Sequence, residues 1–313
     1  MLSSRSFVRR LAQRLRAAAA RAPAADGFVL VAVLWILGGL ATLAGIYAVY
    51  VVNAAAGLSV DRDRLQAEAS MSGAIELTAY YLGAVEPATR PSSGTFTFQL
   101  GGRGIAVSFV SEAARIDLNT APKELLAGLF RGLGAAPDDA EYYADRIEGW
   151  RKQSDVEIES RDKEIAAYRA AGLAYDPRQH AFNSVQELWL VLGLPPALVE
   201  RAMPYVTVFS GMPSVNVIDA APEVLSALPG MSPDRLYDLL NRRQARPVDA
   251  AAILASLGGA QGAATALASH AFRVRIGMTL TQGRQVAGEA VILLIENAPE
   301  PYRVLSWTDG FDG

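Results

Sequence analysis

The hydrophobic and polar positions of this chain form one long apolar run, two groups of alternating segments and a helical region between them. Residues 28–52 make up the apolar run and contain no Asp, Glu, Lys, Arg or His. At about 1.5 Å per residue the run makes a helix of about 37 Å, which is longer than the roughly 30 Å hydrocarbon core of a bilayer. The run therefore predicts a transmembrane helix rather than a buried helix of a soluble protein.

The same helix is predicted to continue beyond the membrane as an amphipathic helix. Residues 58–82 place apolar side chains among charged ones at helical spacing, until Glu86-Pro87 ends the pattern. The whole helix would have about 55 residues, with its first half in lipid or in a filament core and its second half packed on a globular head. Residues 91–94 are predicted to be a linker, because they combine Pro, Ser and Gly.

Five further segments are predicted to be strands: 95–100, 105–110, 270–280, 285–296 and 302–307. The first two flank a glycine-rich turn and favour a β-hairpin. The other three form a second group near the carboxyl end. A long helix followed by an antiparallel sheet is an α+β arrangement.

Helical patterns and Pro-Gly turns dominate residues 113–265, between the two groups of strands. Two segments there, 116–129 and 215–228, match without gaps at an offset of 99 residues. Each predicts an extended entry, a capping residue, a proline within the first turn and an amphipathic helix. The predicted caps are Thr120 and Asp219.

A third segment of this kind spans residues 184–208 and begins with the predicted capping box Ser184-x-x-Glu187. The second and third segments share the order helix, glycine turn, helix, with turns at Gly193 and at Pro229-Gly230. They resemble helix-hairpin-helix modules, whose turns in many proteins present backbone amides to a DNA phosphate. DNA binding and protein packing are therefore both open interpretations.

Two observations favour packing or protein contact over DNA binding. Glycine is required for a left-handed turn whether or not anything binds, and Ser232 stands where DNA-binding copies usually have a second glycine. Residues 28–313 contain 23 Lys plus Arg against 31 Asp plus Glu, a net charge of −8, and an acidic body binds nucleic acid poorly. A membrane-anchored DNA-binding protein of a DNA-uptake or type IV pilus-like system is the alternative.

Candidate chemistry is sparse along the chain. There is no cysteine, and the two histidines leave little material for zinc sites or His-based catalysis. No pair of carboxylates and no phosphate-loop spacing nominates a catalytic centre, so the chain is predicted not to be an enzyme.

A weak calcium candidate consists of five acidic residues: Asp155, Glu157, Glu159, Asp162 and Glu164. Calcium needs several oxygen ligands that converge on one point, whereas these residues alternate with basic ones, as on a solvated surface. The expectation is therefore that no metal and no cofactor is bound.

A basic leader precedes the apolar run. Residues 1–27 contain six arginines and a single acid, Asp26. Such a flank stays on the cytoplasmic side, so the residues after the run are expected on the far side of the membrane. A cleavable signal peptide would have its small-residue cleavage site after the apolar run. Here the small-residue junction lies before it.

The junction Gly27-Phe28 resembles the leader of type IV prepilins and pseudopilins. The resemblance implies that a prepilin peptidase cuts after Gly27, and that the mature chain starts at a methylated Phe28 and keeps its apolar helix. Most subunits of that superfamily carry Glu at the fifth mature position, where this chain has Ala32. A buried carboxylate without a partner is costly, so this loss predicts a subunit at the end of a filament.

Over essentially its full length the chain resembles the K-class minor pseudopilin family of bacterial type II secretion systems. Besides the Gly27-Phe28 junction, three regions carry the resemblance: ARIDLNTAPKELL from 114, FNSVQELWLVLG from 182 with PYVTV from 204, and SVNVIDAAPEVLSALPG from 214. The resemblance implies a pilin-like α+β fold with a large inserted α-helical domain that contains helix-hairpin-helix-like repeats.

The implied organisation has five parts: a leader at 1–27, the transmembrane helix at 28–52, a first pilin-like part at 53–112, the inserted domain at 113–265 and carboxyl-terminal pilin-like strands at 266–313. The implied place is the inner membrane, crossed once, with the amino terminus cytoplasmic and the head periplasmic. The implied role is non-enzymatic, in a tip complex with the I- and J-class minor pseudopilins that starts and caps the pseudopilus for protein secretion. Further implied partners are the major pseudopilin, the prepilin peptidase and the inner-membrane assembly platform.

Overall fold

The computed structural model describes residues 25–151, 158–245, 248–260, 262–279 and 283–309. Only the backbone is described at 25–27, 54–63, 158–161, 259 and 309. The predicted leader therefore lies almost wholly outside the described residues. The chain divides after Gln66 into two units.

Over the described residues the α-helices are α1 Ala25–Gly83, α2 Lys123–Gly132, α3 Pro137–Arg151, α4 Ile158–Ala170, α5 Pro196–Ala202, α6 Pro222–Ser226, α7 Pro233–Arg243 and α8 Ala250–Ser256. The strands are β1 Ser93–Leu100, β2 Arg103–Ser111, β3 Ile116–Asp117, β4 Val206–Thr207, β5 Val215–Asn216, β6 Ala264–Thr265, β7 Ala271–Thr279, β8 Gln285–Leu294 and β9 Tyr302–Asp309. This α+β composition is the predicted one.

The first unit holds the apolar part of α1. Its segment Phe28–Asn53 has 26 residues and a mean hydropathy of 2.4, and none of its side chains is buried. By length and composition this segment could cross a membrane once, as an inner-membrane anchor would. The observed segment exceeds the predicted span of 28–52 by one residue.

The end of α1 lies in the second unit and is stabilised by a distant arginine. The helix ends at Gly83, just before the predicted breaker Glu86-Pro87. Arg90 Nε donates to the carbonyl of Leu82 at 2.9 Å, and Arg90 Nη2 donates to that of Val85 at 3.2 Å. The first bond adds a donor to a carbonyl of the last helical turn, and the second binds the segment that follows the helix.

The main sheet is antiparallel with the order β1-β2-β7-β8-β9, so the predicted hairpin and the predicted second group of strands join in one sheet. Its inner face packs on α1 through buried side chains such as Met71, Ile75 and Phe272. The predicted linker 91–94 is too long, because β1 begins at Ser93. Gly94 is needed there, since a Cβ would lie 2.5 Å from the ring of Phe109.

The region between β2 and β7 has a separate hydrophobic core, formed by α2 to α8 and two small parallel strand pairs, β3-β4 and β5-β6. The segments 116–129 and 215–228 are buried to the same degree at ten of their 14 equivalent positions. Both consist of a short strand, a turn and a helix. The predicted repeat is therefore a structural one.

The repeats contact each other at equivalent positions. A Cβ placed on Gly128 would overlap the carbonyl oxygen of Ala227, which stands 99 residues later, and would lie 2.8 Å from the carbonyl carbon of Ala227. Because glycine lacks a Cβ, the backbone of α2 can approach α6 this closely.

The predicted helix caps are wrong. The N-cap residues of α2 and α6 are Pro122 and Ala221, and neither makes a side-chain cap. Thr120 and Asp219 lie two residues before them and bind elsewhere, because the helices start two residues later than the pattern suggested. Polar side chains at strand ends form the local turns instead: Asp117 Oδ1 accepts from Asn119 N and Asn216 Oδ1 accepts from Ile218 N, both at 2.8 Å.

The predicted capping box at Ser184 and Glu187 is also absent. Residues Val185–Leu190 form a 3₁₀ helix, and the Ser184 side chain makes no cap. Glu187 Oε2 accepts from Trp150 Nε1 at 3.2 Å, and Glu187 Oε1 accepts from Arg178 Nη1 at 3.1 Å. Glu187 Oε1 also accepts from the backbone N–H of Asn183 at 3.2 Å, so the carboxylate joins a buried indole, a nearby guanidinium and the backbone before Ser184 instead of closing a capping box.

Candidate assembly surfaces

The membrane segment carries the predicted processing and packing positions. Gly27 and Phe28 lie in the first turns of α1, and the Phe28 side chain is exposed. Ala32 lies further along the same helix. No contact tests the cleavage between Gly27 and Phe28 or the effect of the missing carboxylate at Ala32, so both stay predictions.

In the second unit, α1 presents an exposed apolar face near its end. Residues Leu77, Tyr80 and Tyr81 are 39%, 75% and 50% exposed, whereas Ala74, Ile75 and Leu82 are buried in the core that α1 shares with the sheet. Exposed side chains of this size on neighbouring turns mark a contact surface.

A groove runs between this helix face and strand β1. We call it the edge groove and define it by Leu77, Tyr80 and Tyr81 on α1 and Ser93, Gly94, Thr95 and Phe96 on β1, with Phe109 at its floor. Its volume is about 540 Å³, and no Asp, Glu, Lys or Arg lines it. The ring of Tyr81 lies 6.5 Å from that of Phe96 and 6.0 Å from that of Phe109. The groove can therefore hold apolar groups.

The inserted region is joined to the sheet by a buried ionic cluster. Glu112 is fully buried; its Oε1 accepts from Arg273 Nε at 2.7 Å and its Oε2 accepts from Arg273 Nη2 at 3.1 Å. The Thr207 hydroxyl also donates to Glu112, and Arg273 binds Glu289 on the next strand. The paired carboxylates raise the pKa of Arg273 against the effect of burial, so its charge is fully retained. A paired buried charge of this kind fixes the geometry between the sheet and the first residues of the insertion.

Three hydroxyl contacts complete the junction. Ser111, at the end of β2, accepts at its Oγ from Ser269 N at 2.8 Å, so the chain leaves and re-enters the sheet at adjacent points. Ser93 Oγ donates to Asp219 Oδ1 at 2.7 Å, and Ser92 donates to Asp219 Oδ2. Asp219 therefore ties the second repeat to the start of β1 rather than capping a helix. No local pattern indicates this role, because the partners lie 126 and 127 residues apart along the chain.

The glycine turns of the insertion share one conformation. Gly134, Gly193 and Gly230 have φ of 93°, 85° and 70°, and each is followed three residues later by the proline that begins the next helix. Gly193 and Gly230 were predicted as turn residues and Gly134 was not, although the spacing Gly-x-x-Pro marks all three. A left-handed turn followed by a helix that starts with proline explains both residue types.

The surroundings of Gly193 do not resemble an open phosphate site. The Tyr142 ring covers Gly193, where an added Cβ would lie 2.7 Å from the ring. At the other turn, Arg235 Nη1 donates to the carbonyl of Gly230 at 3.1 Å, and Pro229 is partly buried. Arg243 Nη1 donates to the carbonyl of Ala220 at 2.8 Å, within the repeat.

The weak calcium candidates are only partly described. Asp155 and Glu157 lie outside the described residues, as does the side chain of Glu159, and Asp162 is exposed. Glu164 Oε2 pairs with Arg146 Nη1 at 3.1 Å, and burial raises the pKa of Glu164 against the opposing effect of Arg146. In the described part of the chain, His, Cys, Asp and Glu form no group of three or more that could hold a metal ion.

Comparisons with known proteins agree with this architecture. Residues 108–211 match the family model of the type II secretion system (T2SS), protein K, first domain. This range begins in β2, crosses the ionic junction and includes the first repeat. The resemblance noted from the sequence is thereby confirmed.

Five chains of solved structures match as well. One belongs to the crystal structure of the GspK-GspI-GspJ complex from the enterotoxigenic Escherichia coli Type 2 Secretion System, with a TM-score of 0.54 and 17% sequence identity. The alignment covers 82% of this chain and 98% of that one, and at this identity it establishes a common fold. No curated protein sequence matches the chain.

Proposed function

We propose, on the premise that residues 108–211 belong to the type II secretion system protein K family, that this chain is a minor pseudopilin at the tip of the pseudopilus. It is a non-enzymatic subunit, anchored in the inner membrane by Phe28–Asn53, with its head in the periplasm. In this role it starts and caps the filament whose growth moves folded proteins across the outer membrane.

The family match carries this proposal. It falls on the segment where the insertion is rooted in the sheet, which is the feature that distinguishes this head from a plain pilin-like one. The insertion between β2 and β7 exceeds the sheet in length, and a head of that bulk fits the end of a tightly packed helical stack better than its middle. The likeness to a chain of the GspK-GspI-GspJ complex supports I- and J-class minor pseudopilins as its partners.

Amino-terminal sequencing of the membrane form, together with co-purification, tests the proposal. The mature chain should begin at Phe28 and should co-purify with I- and J-class subunits of the same system. A Gly27→Leu variant should retain its leader and fail to assemble, while Ala25→Ser, two residues upstream, should be processed normally. A mature terminus other than Phe28, or a processed chain that never associates with these subunits, would contradict the assignment.

The position at the tip predicts a specific effect at Ala32. A carboxylate placed there by Ala32→Glu would have no ammonium of a further subunit to pair with, and an unpaired charge in the membrane is costly. Secretion should fall in this variant and stay near normal in Ala32→Gln, which has a similar shape but no charge. Equal secretion by both variants would argue against an end position.

The helix-hairpin-helix-like turns are proposed to serve packing and protein contact rather than DNA binding. The cover of Tyr142 over Gly193 and the acidic net charge support this assignment. In a titration with a fluorescent DNA duplex at low salt, the detergent-solubilised chain should show no salt-sensitive binding. Binding that is lost on combined change of Gly230 and Arg242 would favour the DNA-uptake alternative instead.

The chain is also proposed to work without a cofactor. Support comes from Glu164, the best described of the calcium candidates, which is already paired with Arg146. The thermal unfolding midpoint of the chain should therefore be the same in excess calcium and in excess chelator. A calcium-dependent rise of several degrees would contradict this expectation.

A further inference from the structure

Strand β1 is an edge of the sheet that lacks the usual protection against pairing. Half of the backbone N–H and C=O groups of an edge strand point away from its neighbour, and natural edges block these groups with charges, prolines or bulges. β1 reads SGTFTFQL, without a charged residue or a proline, and it pairs with β2 without a register shift. Its eight residues form a regular, uncharged template for another strand.

The opposite edge, β9, has those protective features. It contains Arg303 and Asp309, and its pairing with β8 has a register shift between Val291 and Ile292. Charges and bulges of this kind discourage strand addition. The two edges of one sheet therefore differ in a way that the fold alone does not require.

The side chains beside β1 are also incompletely covered. On the inner face of β2, Ile105, Val107 and Phe109 are at most 5% exposed. On the same face of β1, Phe96 and Phe98 are only partly buried, because the edge groove next to them is open. One more strand beside β1 would cover these rings and the exposed faces of Tyr80 and Tyr81.

We propose that a neighbouring subunit completes the sheet at β1 by adding an extended segment to this edge. Alternate side chains of a strand point to opposite faces. In the added segment, the side chains that face α1 enter the uncharged edge groove, so we expect them to be apolar. The side chains on the other face extend the row of Thr95, Thr97 and Gln99, so we expect them to be polar. This mode of recognition draws affinity from backbone hydrogen bonds and specificity from the groove.

The added segment comes from a different subunit of the tip complex, so this inference rests on the proposed function. A second copy would pair antiparallel, about a two-fold axis perpendicular to the sheet. Residues 67–83 of α1 would then run in opposite directions in the two copies. In each copy these residues follow the apolar segment of the same helix, and one membrane would have to hold both apolar segments. A different subunit, with its own strand direction, has no such conflict.

Amide hydrogen exchange on the purified complex tests the proposal directly. The full chain in detergent is compared alone and in complex with the I- and J-class subunits. Exchange in β1 should slow at least about tenfold in the complex, while exchange in β9 stays unchanged. If the complex forms and β1 is not protected, the proposed strand addition is wrong while the proposed function stands.

The remaining outcomes separate the two proposals further. Protection of β1 that rises with the concentration of the chain alone would identify a second copy as the occupant and overturn the choice of partner. Failure to form any complex would overturn the proposed function, and the strand addition with it.

A charge in the edge groove gives a second test. Tyr80→Lys changes a side chain that is 75% exposed, so the chain should fold normally, as its unfolding midpoint will verify. Affinity for the two partner subunits should fall by about tenfold or more, as expected for an aromatic anchor. Trp307→Lys at the other edge, where the ring is 40% exposed, is the matched control and should leave affinity unchanged. Equal losses in both variants would contradict the proposal.

Discussion

The two repeats of the insertion share one backbone path but attach to different parts of the head. Asp117 in the first repeat and Asn216 in the second stand at equivalent positions, and each uses one side-chain oxygen to form the same local turn. Their second atoms differ: Asp117 Oδ2 accepts from Gly211 N at 2.8 Å, whereas Asn216 Nδ2 donates to Leu267 O at 3.1 Å. The Oδ1 atom, which both residues have, forms the local turn of the repeat. The second atom, an acceptor in Asp117 and a donor in Asn216, determines which loop the repeat binds.

The two repeats can also be compared at the ends of the helices that follow them, α3 and α7. Arg151 at the end of α3 donates to the carbonyls of Leu118 and Ala121 at 2.6 and 2.7 Å. Arg243 at the end of α7 donates to the carbonyl of Ala220, which is equivalent to Ala121. An arginine that returns to the entry turn therefore closes both repeats.

The contact between the repeats should be the most sensitive point. Gly128→Ala would force a Cβ into the backbone of Ala227, so α2 and α6 must separate, and we expect a loss of about 3 kcal/mol or more in the free energy of unfolding. The reciprocal change, Ala227→Gly, creates no clash and should cost about 1 kcal/mol. Denaturant unfolding of the detergent-solubilised chain measures both. Similar losses would show that the repeats do not pack as closely as the structure indicates.

Exchanging the two polar residues should break each loop attachment separately. Asp117→Asn would place an amide donor against the N–H of Gly211, and Asn216→Asp would place a carboxylate against the carbonyl of Leu267. Each change should cost about 1–3 kcal/mol, because a buried polar group loses its partner. Hydrogen exchange should localise the loss to the loop near Gly211 in the first variant and near Leu267 in the second. Loss of protection throughout both repeats would mean that the local turns were broken instead.

Removal of Arg151 and removal of Arg243 should lower the free energy of unfolding by amounts that differ only slightly. Arg151→Met removes charge-assisted bonds to two carbonyls and should cost about 2 kcal/mol, whereas Arg243→Met should cost about 1 kcal/mol. Arg169→Met, which affects an exposed ion pair with Asp176, serves as the control and should cost less than about 0.5 kcal/mol. Unfolding midpoints of the three variants rank these effects. A larger loss at Arg243 than at Arg151 would contradict the comparison.

The smallest expected effect is a pH dependence of the free energy of unfolding. It arises from Glu164 in α4, the helix that follows the first repeat and α3 along the chain. Burial raises the pKa of Glu164, so the folded chain holds this proton to a higher pH than the unfolded chain does. Stability should therefore decline as pH rises above about 4.3, the ordinary value for Glu, until the raised pKa is passed. Glu164→Gln should flatten this part of the profile of unfolding free energy against pH. An unchanged profile would show that Arg146 offsets the burial completely.

Much of the architecture could be predicted from the sequence. The apolar run, the end of α1 before Glu86-Pro87, the strands of the main sheet and the repeat at an offset of 99 residues were all found. These features depend on side-chain periodicity and on turn residues within a few positions of each other. The wrong predictions concern single polar side chains, such as Thr120, Asp219 and Glu187. Each had a plausible local partner in the sequence and a distant one in the fold.

The sequence by itself therefore determined the elements, their order and the membrane anchor, together with the residue types that its turns require. Only the tertiary structure decided which distant groups meet: Glu112 with Arg273 across 161 positions, Asp219 with the start of β1, and Gly128 with its equivalent in the second repeat. The physical reason is that backbone conformation follows local sterics and hydrogen bonding. The partners of a buried polar atom, in contrast, depend on where the whole chain path brings other buried groups. The unprotected edge at β1 lies between these cases, because its uncharged sequence is local but its position at the edge is not.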